Sequence, residues 1–303
     1  MDRFRQMQVF VAVAEGEGFA AAARRLKISP PAVTRVVAAL EDSLGVKLLN
    51  RTTRYVRVTE AGQRYLEDCR RILAEVEAAD DAAAGINAEP RGHLSITAPV
   101  MFGRLHVMPG VLEYLNRYPE MEVDALLLDR VVNLMEEGLD VGVRIGALPD
   151  STMRALRVGS VRKVLVASPS YLFLEGTPKH PQELIHHRIV TSQAGTMSET
   201  ASGNWRFHHA QKELQVQVRP KLKVTTNDAA IEAAASGFGL TRVLSYQVAG
   251  MLSEGRLQII LPEYEPPPEP IHIVHREGRH SSAKVRAFID LMAARLKDNP
   301  SLM

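Results

Sequence analysis

Residues 18–62 read GFAAAARRLKISPPAVTRVVAALEDSLGVKLLNRTTRYVRVTEAG, and the spacing inside this stretch organises the reading of the rest. Phe19, Ala22, Ala23 and Leu26 recur at helical spacing and end at a turn near Ile28-Ser29. Ser29 is placed to cap a second helix by accepting a backbone N–H. Pro30 or Pro31 suits the first turn, where no N–H is needed. In that helix Val33, Val36, Val37 and Leu40 form an apolar face, while Ala32, Thr34, Arg35 and Ala38 lie mainly on the other side. Two short amphipathic helices joined by a tight turn, the second with small and basic residues outward, suit a reader of the DNA major groove. Small residues let such a helix sit deep, and Arg35 can reach a phosphate or a guanine edge.

The following segment extends the pattern. Val46, Leu48 and Leu49 are apolar and strand-like. Arg51, Arg54 and Arg57 then arrive three apart, with Thr52, Thr53 and Tyr55 between them, before Val56 and Val58 resume the alternation. This reads as a β-hairpin with a basic tip, suited to following a phosphate backbone; an ordinary solvated hairpin is the alternative.

These residues carry a resemblance. Met7-Gln8-Val9-Phe10, Gly18-Phe19, Ala21-Ala22-Ala23, Leu26, Ser29, Pro31-Ala32-Val33-Thr34, Leu40-Glu41, Leu44-Gly45, Leu48-Leu49, Arg51-Thr52-Thr53-Arg54 and Thr59-Glu60-Ala61-Gly62 resemble the N-terminal domain of LysR-type transcriptional regulators. The likeness is specific over the first 90 residues and continues more loosely to about residue 297. It implies a winged helix-turn-helix over 1–58, whose DNA-contacting residues are Ser29, Pro30, Pro31, Thr34, Arg35, Arg51, Thr52, Thr53, Arg54 and Arg57. Members commonly carry Gln at the position of Pro30. Its absence removes one DNA contact and shifts base preference toward Thr34, Arg35 and DNA shape.

Charge is distributed to match. The chain of 303 residues carries a net charge of +2. Residues 1–60 hold ten Lys or Arg against six Asp or Glu, residues 61–91 four against seven, and residues 92–303 twenty-three against twenty-two. The positive excess therefore sits on the expected DNA reader, where counterion release needs it. It is modest, so one copy is expected to bind weakly and a dimer to double the term. No apolar run reaches the roughly 18 residues of a membrane span, and the start reads as an amphipathic helix rather than a signal peptide. A cytoplasmic protein without membrane contact is expected. The lone Cys69 excludes an intrachain disulfide and a Cys-rich zinc site.

From Thr59 to about Ala88 the chain has no Pro, and Tyr65, Cys69, Ile72, Val76, Ala79, Ala83 and Ile86 recur at alternating steps of four and three. That spacing is a coiled-coil seam, with Leu66 and Leu73 widening the stripe toward the body of the protein. Thr59 suits the N-cap. The seam serves self-association, or else packs the helix on its own domain. The resemblance implies antiparallel pairing in a dimer, a tetramer built from two dimers, and contact with RNA polymerase. Residues 59–91 form this linker, ended by Pro90-Arg91-Gly92.

After Gly92 short strands alternate with helices. Strands are expected at Leu94–Ala98, Val123–Leu128, Val141–Ile145, Lys163–Ala167, Lys221–Val224, Gly239–Val243 and Ile271–Val274. Helices are expected over 103–117, 130–138, from Pro169 onward, 227–236 and 281–297. Repeated β-α units imply an α/β fold with open, mostly parallel sheets and helices on both faces. The resemblance makes 92–303 a two-lobed, periplasmic-binding-protein-like domain for a small-molecule effector. Lobe one covers 92–162 and 266–303, and lobe two 163–265. Pro266-Pro267-Pro268-Glu269-Pro270 reads as a stiff crossing segment.

Ligands in such sheets bind at the carboxyl ends of strands. That rule selects Val100, Met101, Phe102, Asp129, Arg144 and Ile145 from lobe one, and Thr191, Ser192, Asn227, Asp228 and Arg242 from lobe two. Asn227 and Asp228 open a helix, where free N–H groups favour an acceptor. Arg144 and Arg242 either clamp a carboxylate between the lobes or pair with neighbours such as Asp129 and Asp228. An anionic effector with an apolar or aromatic body is one of these two outcomes.

Other signals read as structural. His186-His187 and His208-His209 are adjacent pairs, which is poor spacing for a metal. Gly237-Phe238-Gly239 reads as a helix stop and tight turn, and Trp205 as a packing anchor. No nucleophile elbow or P-loop occurs. Neither an enzyme nor a cofactor is expected. Remaining alternatives are a two-lobed solute-binding or enzymatic protein with an N-terminal extension, and a regulator whose sensor binds no ligand.

Overall fold

The computed structural model describes residues 2–16, 18–51, 56–84, 89–148, 153–193, 203–275 and 282–302. Thr52, Thr53 and Arg54 lie outside the described residues, as do the side chains of Arg51, Ala79 and Ala83. The chain divides into two compact units, the first essentially residues 1–88 and the second residues 89–277 with 284–303.

The first unit is a three-helix bundle with a two-stranded wing, followed by a long helix. Helix α1 (Arg3–Glu15) starts at Asp2, whose carboxylate accepts the Phe4 N–H at 3.1 Å. Helix α2 (Phe19–Arg25) leads through a turn at Lys27 into α3 (Pro30–Leu44). Val33, Val36, Val37 and Leu40 of α3 are buried against Val9, Phe10 and Val13 of α1 and Ala22 and Ala23 of α2. Strands β1 (Leu49–Arg51) and β2 (Val56–Val58) pair antiparallel, Leu49 opposite Val58. Ser29 stands at the N-cap with extended backbone, yet its side chain makes no capping hydrogen bond; Pro30 at the first helical position removes one N–H that a cap would otherwise serve.

Helix α4 (Glu60–Ala84) begins as expected from its cap. The Thr59 hydroxyl accepts the Gly62 N–H at 2.9 Å and donates to the Lys47 carbonyl at 2.8 Å. Gly62 is required here: a Cβ at this position would collide with the Leu48 carbonyl oxygen. One part of the expected seam is corrected. Cys69 is wholly buried in the core of its own unit, and Tyr65 packs on Phe10 with ring centroids 5.8 Å apart. The first turns of α4 are therefore spent on α1, whose Phe10 and Val13 share that core. Leu66 and Leu73 join the same core.

The second unit holds two five-stranded sheets. In the first, β4 (Met121–Leu127), β3 (Gly92–Ala98), β5 (Val141–Ile145), β14 (Glu269–His275) and β6 (Arg154–Val161) lie in that order. In the second the order is β11 (Pro220–Val224), β8 (Ile189–Ser192), β12 (Leu240–Leu244), β7 (Lys163–Ala167) and β13 (Gln258–Ile260). The hairpin β9 (Asn204–His209) and β10 (Lys212–Gln217) stands beside the second sheet. Each five-stranded sheet is mixed rather than mostly parallel: β14 and β7 run antiparallel to both neighbours. Strand β14 returns the late chain to the first sheet, and Glu269-Pro270 already belong to it.

Both sheets are covered on both faces, which is why Val164, Leu165, Val166 and Ala167 are all buried in one strand. On the first sheet, Leu94, Ile96, Val141 and Ile271 pack under α6 (Met108–Arg117) and α10 (Ala283–Lys297). The short helix α5 (Val100–Phe102) joins α6 through a π-helical stretch, Gly103–Val107. On the second, α8 (Asn227–Ala235) and α9 (Ser245–Ser253) cover Val164, Val166 and Val243, while α7 (Pro169–Glu175) and the hairpin cover Leu165, Ala167 and Leu240. Residues 130–138 form turns, not the expected helix. The Asn133 side chain accepts the Met135 N–H at 3.0 Å and Gly138 takes φ 65°, so local side-chain bonding replaces the helical ladder. Gly237 stops α8 at φ 81°, and Gly239 passes against the Arg188 carbonyl too closely for a Cβ.

Candidate nucleic-acid interface and ligand cleft

Burial of the Val33, Val36, Val37 and Leu40 face aims the opposite face of α3 outward. Ser29, Pro30, Pro31, Thr34 and Arg35 are exposed there, and Ala32 and Ala38 are half-buried. The Thr34 hydroxyl donates to the Pro30 carbonyl at 3.1 Å, which keeps its lone pairs outward as acceptors. Arg35 has no side-chain partner among the described residues. Arg57 is exposed on β2. Arg24, exposed in the last turn of α2, and Lys27, exposed in the turn before α3, add cations that the spacing argument did not single out; Arg25 is tied to Glu15 at 2.7 Å.

The sequence reading also missed the group that holds α3 to the wing. Glu41 is 2% exposed, and its carboxylate accepts the N–H of Leu48 at 3.0 Å and of Leu49 at 3.1 Å, and Lys47 Nζ at 2.9 Å. Burial raises its pKa, but the Lys47 and backbone donors outweigh that and hold the carboxyl below its ordinary value. An acidic residue directly after Leu40 at the close of an apolar helix face, with Gly45 ending the helix, was the available signal.

In the second unit the strand-end rule gathered residues that the structure separates. Val100 is exposed at the start of α5, and its N–H donates to Asp129 at 3.0 Å, so Asp129 ties the end of β4 to the start of that helix. Met101 is half-buried and packs against the core clusters of both lobes. Phe102 is wholly buried, with rings of His106 and Tyr246 at 4.8 and 5.2 Å, so it serves packing rather than the cleft surface. Tyr246 of α9, not singled out in advance, thereby closes one end of the seam between the lobes; burial holds its hydroxyl far above the usual range. Thr191 and Ser192 are buried within the sheet. Asn227 is half-buried and Asp228 exposed at the start of α8. The Asp228 carboxyl is held below its usual value by the Thr226 hydroxyl first, against a small burial effect, and by Arg104 of lobe one among weaker causes.

The arginine clamp is corrected. Arg144 is half-buried beside Ile145 and donates to the Val132 carbonyl at 3.1 Å. Arg242 is 6% exposed on the opposite, hairpin-covered face of lobe two and donates to the Arg206 carbonyl at 2.6 Å. Alternation along β12 sends Arg242 toward Trp205 and Phe207 while Thr241 and Val243 turn to the α8 side. The strand-end rule locates a residue along a strand but not on a face. Among the described residues no group of three or more metal-ligating side chains converges. His187 is spent on the Tyr171 hydroxyl at 3.2 Å, and His209 stacks on Tyr264 at 4.7 Å.

A winged helix-turn-helix with an open reading face, joined through a long helix to a two-sheet α/β domain, defines a DNA-binding regulator with a ligand-sensing domain. Comparison with known proteins agrees. The family described as bacterial regulatory helix-turn-helix protein, lysR family, matches residues 4–63, and the LysR substrate binding domain matches residues 87–297. An HTH-type transcriptional regulator of Xanthomonas campestris is 34% identical, covering 97% of this chain and 86% of the relative. The HTH-type transcriptional repressor PA14_22550 of Pseudomonas aeruginosa is 30% identical, covering 100% and 95%. The structure of CrgA, a LysR-type transcriptional regulator from Neisseria meningitidis, superposes with a TM-score of 0.62 at 28% identity, covering 97% and 99%. The chain belongs to the LysR family of transcriptional regulators. No helix among its described residues is long and apolar enough to cross a membrane.

Proposed function

We propose that this regulator acts in the cytoplasm as a dimer or as a tetramer built from two dimers. In each pair two α3 helices enter successive major grooves of an interrupted inverted repeat while the wings follow the phosphates. The observation that carries this is the exposed Thr34–Arg35 face of α3, aimed outward by a fully buried Val33–Leu40 face. Arg51, Arg54 and Arg57, with Thr52 and Thr53, are assigned to the backbone, and Ser29 and Pro31 to the helix entrance. Ile72 and Val76 remain half-exposed on α4 after its first turns are spent on α1, and they are assigned to the dimer seam together with Ala79 and Ala83.

A small-molecule effector is assigned to the cleft edge formed by Val100, Met101, Asp129 and Ile145 of lobe one and by Asn227 and Asp228 of lobe two. Differential binding to two lobe arrangements re-spaces the DNA readers and their contact with RNA polymerase. The test is binding of the full chain to DNA flanking its own gene at two salt concentrations, beside Arg35→Ala, followed by selection from a random DNA library. Competitor-resistant, salt-dependent binding that the variant weakens supports the reading; failure in both formats overturns it. A metabolite panel read by thermal shift tests the sensor, since a ligand at 100 times its Kd stabilises by about 2.7 kcal/mol.

A further inference from the structure

Two edge strands of the second unit carry opposite charge. β4 closes one end of the first sheet and β11 one end of the second, and within one chain they are not hydrogen-bonded to each other. Of the other two sheet edges, β13 is only three residues long, and on β6 one of the two arginines, Arg154, is already engaged. An edge strand presents a row of free N–H and C=O groups, so its side chains decide what pairs with it.

Along β4 the exposed Glu122 and Asp124 flank the half-buried Val123, and Glu120 precedes them by the same step of two. Along β11 the exposed Lys221 and Lys223 alternate with the half-buried Leu222 and Val224, and Arg219 precedes them. β11 shifts register against β8 between Pro220 and Leu222, and residues 222–224 run regular beyond it. One row is acidic and the other basic at positions i, i+2 and i+4, a repeat of about 6.6–6.8 Å in extended chain. Asp124 is shared with His93 at 3.1 Å. The side chains of Glu120, Glu122, Arg219, Lys221 and Lys223 have no hydrogen-bond or ion-pair partner among the described residues.

Charge selects among the possible pairings. Two β4 edges, or two β11 edges, would set like charges opposite one another, which is destabilising. A β4 edge beside a β11 edge sets an acid opposite a base at each step of two, whichever way the strands run. Lysines that guard an edge against its own kind thus admit an acidic edge. Beside β4, α6 turns Leu112 outward at 57% exposed, an apolar contact for the chain that covers this flank.

We infer that β4 of one copy pairs with β11 of a second copy, joining sensor domains through a charge-matched strand junction made twice in a two-fold arrangement. The junction is separate from the α4 seam and supplies the second step of assembly, dimer to tetramer, at higher protein concentration. The two surfaces fail separately: Ile72→Glu acts on the seam, and substitutions on the strand edges act on the junction.

Sedimentation of the full chain, across the concentrations where dimer passes to tetramer, tests the junction with two paired reversals. One variant carries Lys221→Glu with Lys223→Glu, the other Glu120→Lys with Glu122→Lys. All four side chains are exposed, so both variants should melt as the unaltered chain does. Each variant alone is expected to form tetramer at least roughly tenfold more weakly. An equimolar mixture should regain it, because one variant supplies two acidic edges and the other two basic ones. The chain with all four reversals should regain it too. An unaltered chain that stays dimeric up to its solubility limit overturns the inference. So do variants that each assemble like the unaltered chain, or a mixture no larger than its parts.

Discussion

The Glu41 carboxylate accepts the Leu48 N–H at 3.0 Å from a position seven residues earlier, at the far end of α3. One buried side chain thus fixes the angle between the reading helix and the wing. Removing the acceptor in Glu41→Ala strands two backbone donors in the core, and a loss of about 2–4 kcal/mol is expected. Glu41→Gln retains one acceptor oxygen and should lose less. Unfolding of the first unit by urea, followed by helical signal, checks both. The folded pKa of Glu41 lies below its ordinary value of 4.5. Its contribution is therefore complete above pH 4.5 and disappears as the pH falls through the folded value. In Glu41→Gln that part of the acid sensitivity should be missing.

Gly62 supports the same corner from the other side. A methyl group there meets the Leu48 carbonyl, which also accepts the Thr59 N–H at 2.9 Å. Gly62→Ala is expected to destabilise the first unit by about 2 kcal/mol or more. DNA affinity should fall with it, because the wing and α3 lose their common anchor. Thermal unfolding beside DNA titration at low temperature separates the two effects.

Arg35 is exposed and makes no side-chain bond among the described residues, so its removal should leave stability unchanged. Arg35→Ala is expected to weaken specific DNA binding by roughly ten- to a hundredfold, about 1–3 kcal/mol. If the contact is to phosphate rather than to a base edge, non-specific binding falls equally and the salt slope drops by about one. Anisotropy titrations on specific and random duplexes at several salt concentrations distinguish these outcomes.

Cys69 should be chemically silent in the native state. Burial first, opposed in part by the Tyr65 hydroxyl, pushes its thiol up to about 11. Aromatic disulfide reagents at pH 8 are expected to react with it only after denaturation. Rapid labelling of the folded protein would falsify the placement of α4 against α1.

Ile72 and Val76 are half-exposed on α4 beyond the part that packs at home. A charge in an apolar helix seam disfavours pairing without touching the core of the unit. Ile72→Glu is therefore expected to shift sedimentation from dimer toward monomer at micromolar protein, with the thermal transition nearly unmoved. An unchanged oligomer with Ile72→Glu would move the assembly surface elsewhere.

Much of the first unit was legible because its signals are local. Helical spacing of Val33, Val36, Val37 and Leu40 and the Thr59 cap depend on neighbours within one or two turns. The helix at 130–138 failed for an equally local reason, since the Asn133 side chain competes for the backbone. The seam at Cys69 failed differently: a stripe of apolar residues has the same period whether it faces a mate or its own bundle. Sequence spacing states that a face will be buried, not by what.

The sequence by itself determined the order of elements in the first unit, the reading helix with its outward Thr34 and Arg35, and the family, because periodicity, caps and turns are written in consecutive residues. Tertiary structure alone decided where distant residues meet. It turned Glu41 inward onto amides seven and eight residues away, set Tyr246 against Phe102, and sent Arg242 to the hairpin side of its sheet, away from Arg144. In a strand buried on both faces the two sides carry the same apolar composition, so only the elements packed above and below determine which side an arginine occupies.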